Sequence, residues 1–250
     1  MPLVSVANRT FDVDVIVFDK DGTLVDFDAL WGPRTVRWVE TLAEMASQPE
    51  LGGLLYPLVG FDPVRQQVLP DGPLAIGTTA DLYALAAAVL FQDGFGWHEG
   101  RPLAQRAAAT TMAAAPQPAE IRPLGDVAST VRRLRRAGIQ LAVATNDDRA
   151  LTEATLQQLG IAGDIAVMAC GDDALPPKPD PAGLHWLAGE LGTVAGRLLV
   201  VGDSANDMLA GRNAGVAGCI GILSGAGTRA SLEQLADVVV DHVDALRIVT

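Results

Sequence analysis

Short runs of consecutive apolar residues recur along the chain, and stretches with a helical spacing of apolar residues separate them. Such near-continuous runs are typical of strands that are buried on both faces of a parallel sheet. The six runs are residues 13–18, 139–144, 165–169, 198–201, 219–223 and 238–240. The pattern therefore predicts six buried strands.

Three stretches between these runs have a helical pattern, and each one ends at a glycine, which is common directly after a helix. They are residues 126–137 before Gly138, 149–159 before Gly160 and 181–191 before Gly192. Asp180 and Pro181 fit an N-cap followed by a proline in the first turn. Strands that alternate with helices predict an α/β fold, in which a doubly wound, mainly parallel sheet is connected by right-handed crossovers.

The alternation stops in the segment of residues 29–120. Its better helix candidates are residues 35–46, 80–91 and 102–114, joined by loops rich in proline and glycine, and no stretch has a convincing strand pattern. We expect a core domain of residues 1–28 and 121–250, interrupted by an inserted all-helical domain of residues 29–120.

Composition and charge exclude several function classes. The formal net charge of −12 argues against nucleic-acid binding. No apolar window is long enough for a membrane helix, and the first residues lack the features of a secretory signal, so we expect a cytoplasmic protein without a membrane partner. Cys170 and Cys219 match no metal-ligand spacing and are expected to be buried thiols. Oligomeric state is not readable from the sequence.

Two pairs of aspartates directly follow two of the predicted strands. Asp19 and Asp21 follow the first run, and Asp203 and Asp207 follow the fourth. Each acid could simply cap a helix. If the two strands are neighbours, however, the acids share the crevice beyond the carboxyl ends of the strands, where doubly wound sheets bind ligands. Crowded carboxylates need a cation, and oxygen ligands that leave room for water and phosphate suit Mg²⁺.

Two further strand ends offer groups that could bind phosphate. Thr145 and Asn146 follow the second run, and their hydroxyl and backbone N–H groups could bind phosphate oxygens at a helix start, although an ordinary cap is the alternative. Lys178 lies in a loop that neighbouring prolines stiffen, so its ammonium could be held in place. The alternative for Lys178 is a solvated loop lysine.

Taken together, these residues resemble four motifs of the haloacid-dehalogenase-like hydrolases. The motifs are DKDGT at 19–23, Thr145 at a strand end, Lys178 before a proline, and GDSANDM at 202–208. AGRNAG at 210–215 and the segment 235–237 resemble the phosphoglycolate-phosphatase-like branch. The insertion lies where that family carries a helical cap over a Rossmann-like core.

The resemblance implies a role for each matching residue. Asp19 would be the nucleophile and Asp21 the general acid and base. Thr145, Asn146 and Lys178 would bind the substrate phosphate. Asp19, Asp21 through its carbonyl, and Asp203 would ligate Mg²⁺, with Asp207 in support. The expected function is a Mg²⁺-dependent phosphatase that hydrolyses a small phosphorylated metabolite through an aspartyl phosphate, with phosphoglycolate as one candidate.

Other interpretations share the fold. Dehalogenase relatives need neither a metal nor a second acid at position 21. The presence of Asp21 and of the pair Asp203 and Asp207 therefore counts against a dehalogenase. A phosphomutase would share every residue of the core, and a catalytically silent binding protein would keep the fold.

Lys20 is expected to point away from Asp19 and Asp21 if the strand alternation continues. Five arginines of the insertion could meet a second anionic group of the substrate, although a solvated surface arginine is the favoured interpretation for each: Arg34, Arg37, Arg65, Arg101 and Arg106.

Overall fold

The computed structural model describes residues 3–249, and a six-stranded parallel sheet forms its centre. In chain order the strands are β1 (Leu3–Val6), β2 (Arg9–Asp12), β3 (Val15–Phe18), β4 (Phe61–Asp62), β5 (Gln67–Val68), β6 (Gln140–Ala144), β7 (Val167–Ala169), β8 (Leu198–Gly202), β9 (Gly218–Ile222), β10 (Val238–Val240) and β11 (Leu246–Val249). The order across the central sheet is β10-β9-β8-β3-β6-β7. Each of the six predicted runs is one of these strands.

Helices cover both faces of the sheet. In chain order the α-helices are α1 (Phe27–Ala46), α2 (Leu51–Val59), α3 (Pro73–Ile76), α4 (Thr79–Gln92), α5 (Trp97–Ala109), α6 (Val127–Arg136), α7 (Arg149–Gln158), α8 (Ala182–Glu190), α9 (Ala205–Ala214) and α10 (Arg229–Glu233).

Alternate residues of β3 supply two different apolar clusters because successive side chains of a strand point to opposite faces. Ile16 and Phe18 pack in a cluster that includes α6 side chains, whereas Val15 and Val17 pack in a cluster that includes α8 and α9 side chains. Burial on both faces explains the continuous apolar runs. The predicted doubly wound α/β fold is confirmed.

A second, antiparallel sheet joins the two ends of the described chain and is absent from the sequence prediction. Strand β1 pairs with β2 on one side and with β11 on the other, so that Leu3 faces both Asp12 and Val249. These strands have four residues each and are only partly buried. Strands of this kind have no continuous apolar run, and their pairing depends on contacts that are remote in sequence.

The insertion has its own apolar core, which includes Trp38, Leu42, Leu55 and Leu90. Its regular structure is helical except for one hairpin, in which the strands β4 and β5 have two residues each. The expectation of no strand here is corrected in that detail.

Helix α1 begins eight residues before the predicted start at residue 35. The side chain of Asp26 caps it by accepting a hydrogen bond from the N–H of Ala29 at 3.1 Å. Pro33 lies inside this helix, and an interior proline argues against a helix in sequence reasoning. Because α1 crosses residue 28, the division of the chain at residues 28 and 121 stays a prediction.

Arg34 ties helix α1 to the chain segment that returns from the insertion to the core. Its fully buried guanidinium donates hydrogen bonds to the carbonyl oxygens of Met112 and Ala114 at 2.6 and 2.8 Å, and to Glu120 Oε2 at 2.9 Å. Arg37 reaches the other oxygen of Glu120 at 2.7 Å. Arg34 is therefore neither solvated nor free to bind substrate, which corrects both expectations for this residue.

Two expectations from composition can be compared with the structure. Within the described residues, no helix combines the length and the apolarity that crossing a membrane would require. Cys170 and Cys219 are free and buried, as predicted.

Replacing Arg34 should destabilise the protein far more than replacing a surface arginine. Arg34→Met leaves Glu120 buried with only its partly exposed partner Arg37, and breaking a buried pair costs about 3–5 kcal/mol. The matched control is Arg65→Met, which removes an exposed ion pair with Asp62 and should cost at most about 1 kcal/mol. Chemical denaturation of both variants measures the difference, and equal losses would contradict the assigned role of Arg34.

Candidate active site

The carboxyl ends of three neighbouring strands meet at one edge of the sheet. Phe18 at the end of β3 is paired with Val143 of β6 and Val201 of β8, and the N–H of Asp19 donates to the carbonyl of Val201 at 2.8 Å. The predicted neighbourhood of the first and fourth runs is therefore correct. A cavity of about 50 Å³ lies at this edge and is lined by six of the predicted site residues: Asp19, Asp21, Thr145, Asn146, Lys178 and Asp203. The seventh, Asp207, contacts Lys178 but is not among the residues that line the cavity.

Lys178 is fixed by three acceptors. Its Nζ donates to Asp19 Oδ1 at 2.6 Å, to Asp207 Oδ1 at 2.5 Å and to the carbonyl of Ala144 at 2.9 Å. Burial alone would lower the pKa of Lys178, but the adjacent carboxylates raise it above its usual value. The ammonium is therefore charged, held in one position and directed at Asp19, as a stiff loop would allow.

Asp19, Asp203 and Asp207 form a compact all-oxygen cluster, in which one carboxylate oxygen from each lies within 4.8 Å of the others. Burial, opposed by Lys178, raises the pKa of Asp19 to about 7. Burial and the charges of Asp19 and Asp207 raise the pKa of Asp203 well above its usual range. The donor set and the excess of negative charge fit a small divalent cation such as Mg²⁺.

Asp203 is packed against backbone on two sides. A Cβ atom added at Gly22 would lie 2.4 Å from Asp203 Oδ2, and one added at Gly225 would lie 2.0 Å from the same oxygen. The N–H of Ala226 donates to that oxygen at 2.7 Å, and the hydroxyl of Thr23 donates to Oδ1 at 3.2 Å. Glycine at positions 22 and 225 thus lets the chain pass directly against this carboxylate.

Asp207 uses its two oxygens for two different tasks. Oδ1 accepts from Lys178, while Oδ2 accepts from the backbone N–H and the hydroxyl of Ser204 at 3.0 and 2.6 Å. The hydroxyl of Ser204 in turn accepts from the N–H of Asp207, which completes a capping box at the start of α9. The helix cap therefore orients the carboxylate that holds the lysine.

Thr145 and Asn146 are braced in different ways. The N–H of Thr145 donates to the carbonyl of Ala169 at 2.9 Å, and its hydroxyl accepts from the N–H of Asp147 at 3.1 Å. The side-chain amide of Asn146 donates to the carbonyls of Ile76 and Lys178 at 3.0 and 3.2 Å, while its oxygen accepts from the N–H of Lys178 at 2.9 Å. The side chain of Asn146 thus connects the insertion to the Lys178 loop.

Lys20 does not point away from the site, which corrects the expectation from strand alternation. Strand β3 ends at Phe18, so the alternation does not continue to residue 20. The fully buried Nζ of Lys20 lies 2.7 Å from Asp21 Oδ1 and 2.8 Å from Asp147 Oδ2. It also lies 5.9 Å from the ring centroid of Trp31. This lysine connects the ends of β3 and β6 beneath the cavity.

The Lys20 network is electrostatically unbalanced. Burial would lower the pKa of Lys20, but Asp147 and Asp21 raise it above its usual value. Burial raises the pKa of Asp147 to about 6, although Lys20 opposes the shift. Sequence reasoning left Lys20 out of the site and did not identify Asp147. The available signal was that Lys20 and Lys178 are the only lysines of the chain.

Helix α1 and the rest of the insertion supply the remaining side of the cavity, here called the cap wall, which consists of Phe27, Trp31, residues 74–77 and Thr79. The carbonyl of Ile76 accepts from the side-chain amides of both Asn146 and Asn206. The cap wall was not identified from the sequence because α3 is a single helical turn and lies 50 residues or more from every other site motif.

The arginines of the insertion lie elsewhere. Beyond the buried Arg34, Arg37 is paired with Glu120 and Arg65 with Asp62, and Arg101 and Arg106 are exposed. Within the described residues, none of the five lines the cavity.

Known proteins resemble this chain in sequence and in fold. The family model for haloacid dehalogenase-like hydrolase matches residues 13–215. A phosphoglycolate phosphatase from Vibrio parahaemolyticus is 33% identical over 207 residues, which are 82% of each chain. A phosphoglycolate phosphatase from Agrobacterium fabrum is 38% identical over 132 residues, which are 53% of this chain and 56% of that protein.

Solved structures resemble the chain over most of its length. CbbY from Rhodobacter sphaeroides, in complex with phosphate, has a TM-score of 0.60 and 24% identity, with 92% of this chain and 95% of that chain covered. A hydrolase from Pseudomonas syringae has a TM-score of 0.62 and 20% identity, with coverages of 93% and 95%. At these identities the similarity supports a shared fold.

Removing the charge of Lys20 should destabilise the fold. Lys20→Met leaves the buried carboxylates of Asp21 and Asp147 without their cation, at a cost of about 3–5 kcal/mol in the free energy of unfolding. Adding Asp147→Asn removes one of these carboxylates and should recover part of the loss, with a coupling energy of about 0.5–3 kcal/mol.

The measurement is a double-mutant cycle by chemical denaturation. Arg229→Met, which removes an exposed pair with Glu233, is the control and should cost at most about 1 kcal/mol. Additive losses from the two substitutions would show that Lys20 and Asp147 do not stabilise each other.

Proposed function

Because the chain belongs to the haloacid dehalogenase-like hydrolases, we propose that it is a Mg²⁺-dependent phosphatase that hydrolyses a small phosphomonoester through an aspartyl phosphate on Asp19. The observation that carries the proposal is the contact between Lys178 and Asp19 on a cavity that Asp21 also lines. A fixed ammonium beside a carboxylate can hold a phosphate against it. The relatives named phosphoglycolate phosphatase support the reaction class.

In the first step, a carboxylate oxygen of Asp19 attacks phosphorus and the bond to the leaving oxygen breaks. Asp19 Oδ1 accepts from Lys178, which leaves Oδ2 as the attacking oxygen. The positive charge of Lys178 attracts the phosphoryl oxygens, Thr145 binds them, and Asp21 donates a proton to the leaving alkoxide. Covalent capture splits a difficult hydrolysis into two easier steps.

In the second step, Asp21 takes a proton from water, the water oxygen attacks phosphorus, and Asp19 is released with inorganic phosphate. Lys20 holds Asp21 Oδ1, so Oδ2 is the oxygen that carries the proton in both steps. A positioned acid and base contributes about 10²–10⁴ in rate.

The carboxylates of Asp19 and Asp203, with the Asp21 carbonyl and support from Asp207, would hold Mg²⁺. When bound, the ion would offset the negative charge of the phosphoryl group and of the acids around it. Asp203 suits this task because its carboxylate is held in place between the backbone at Gly22 and the backbone at Gly225.

Free phosphate is the product that separates this proposal from its alternatives. A phosphomutase would give an isomerised product without free phosphate, and a silent binding protein would give neither. Assays of phosphate release on a panel of phosphorylated metabolites therefore test the reaction class.

Asp21→Asn should separate the two chemical steps. With an aryl phosphate the leaving phenolate needs no proton, so the first step should still proceed. The phosphoryl group should then accumulate on Asp19, and at most one equivalent of phenol should be released in a burst. Steady turnover should then fall by roughly 10²–10⁴. With an alkyl phosphate no burst should appear, because the first step needs the missing acid.

Rapid-quench kinetics and mass analysis of the peptide that carries Asp19 provide the measurement. Asp19→Asn is the control, and it should abolish both the phosphoenzyme and turnover. Steady turnover of the alkyl substrate near the wild-type rate in Asp21→Asn would remove Asp21 from acid–base catalysis.

Mg²⁺ should stabilise the protein more at pH 8 than at pH 6. The pKa of Asp19 is raised to about 7 by burial, so this carboxylate gains a proton as the pH falls through 7 and the ion must then displace it. In the metal-free protein the same shift means that the contribution of Asp19 to folding stability decreases as the pH rises from about 4 to about 7, because this carboxyl binds more protons in the folded state.

Thermal unfolding at both pH values, with and without Mg²⁺ at constant ionic strength, measures the effect. Asp203→Asn should reduce the Mg²⁺-dependent shift of Tm at pH 8. Full turnover by the wild-type protein after exhaustive chelation would contradict the metal assignment.

A further inference from the structure

The cap wall is uncharged. Its side chains at the cavity are aromatic or aliphatic, namely Phe27, Trp31, Leu74, Ala75 and Ile76, with Thr79 as the polar exception. The charged side chains that line the cavity all belong to the core: Asp19, Asp21, Asp147, Lys178 and Asp203. The described cavity therefore has a charged side and an uncharged side.

Several polar atoms of the cap wall are already engaged. The hydroxyl of Thr79 donates to Asp148 Oδ1 at 2.7 Å, and the carbonyl of Ile76 accepts from two amides. The N–H groups of Ile76 and Gly77 donate within the α3 turn at 3.1 and 2.9 Å. Among the described residues, the indole N–H of Trp31 is buried without a partner, and it is a neutral donor.

A second anionic group on the substrate would meet unfavourable surroundings there. Lys20 is fully buried and paired with Asp21 and Asp147, and Lys178 is paired with Asp19. Asp148 lies next to Thr79 on the far side of the wall. A buried carboxylate without a cation is strongly disfavoured, and like charges nearby add to the cost.

We propose that the leaving group of the substrate is short and uncharged, and that the cap wall selects it through Trp31, Leu74 and Ile76. This inference rests on the proposed phosphatase function and specifies its substrate class. It separates this chain from its relatives named for phosphoglycolate, whose leaving group carries a carboxylate.

A matched pair of substrates tests the proposal in the wild-type protein. Phosphoglycolate and phosphoglycolamide have the same number of heavy atoms and differ in the charge of the leaving group. We expect kcat/KM with Mg²⁺ to be at least about tenfold higher for the amide. A value for phosphoglycolate that equals or exceeds that of the amide overturns the proposal.

A charge placed in the cap wall should reverse the preference. Ile76→Arg should raise kcat/KM for phosphoglycolate relative to the amide, whereas Ile76→Met changes the side chain without adding charge and should keep the wild-type ratio. Leu54→Arg adds the same charge on an exposed position of α2 and should also keep it. An unchanged ratio in a folded Ile76→Arg variant contradicts the assigned position of the leaving group.

The failure of this inference is distinguishable from failure of the proposed function. Hydrolysis of p-nitrophenyl phosphate and phosphoglycolate with little hydrolysis of the amide would overturn the substrate class and leave the phosphatase intact. Absence of phosphate release from all three substrates would overturn both. If Ile76→Arg fails to fold, the wild-type comparison of the two substrates decides by itself.

Discussion

An excess of buried negative charge at one edge of the sheet is the constraint on which the rest of the site depends. Five buried carboxylates surround two buried ammonium groups: Asp19, Asp21, Asp147, Asp203 and Asp207 around Lys20 and Lys178. Unpaired buried charge is costly, so each acid is held by a lysine, by backbone N–H groups or by a hydroxyl. The stiff loop, the capping box and the two glycines all hold this cluster together, and the remaining excess of negative charge fits a divalent cation.

The sequence predicted what depends on local pattern. The six strands were found because burial on both faces leaves continuous apolar runs, and the convergence of Asp19 and Asp203 followed from the adjacency of their strands. What was missed depends on contacts between remote segments. Strand β1 pairs with a strand some 240 residues later, and Arg34 is buried because Glu120 and three carbonyls, far along the chain, accept its hydrogen bonds. Lys20 was misplaced because the strand ends two residues before it.

Closure of the insertion over the cavity and the position of the phosphate-side lysine depend on the same side chains. The amides of Asn146 and Asn206 both contact the carbonyl of Ile76 in the insertion and the backbone carbonyl of Lys178. Separation of the insertion from the core would break one half of each of these contacts. The loop that orients Lys178 is therefore best held when the cavity is covered, which couples the exclusion of bulk water to the preparation of the site.

The chain has only two lysines, and the fold uses both as counter-ions, with Lys20 fully buried and Lys178 partly buried. The ε-amine of Lys20 is inaccessible to solvent and that of Lys178 is saturated by three acceptors. The folded molecule consequently presents no free lysine amine to acylating reagents, aldehyde cross-linkers or lysine-modifying enzymes, while its other fixed positive side chains are arginines. Acylation of a lysine side chain would thus report on opening of this one site, and surface immobilisation through lysine would select molecules in which it is already disrupted.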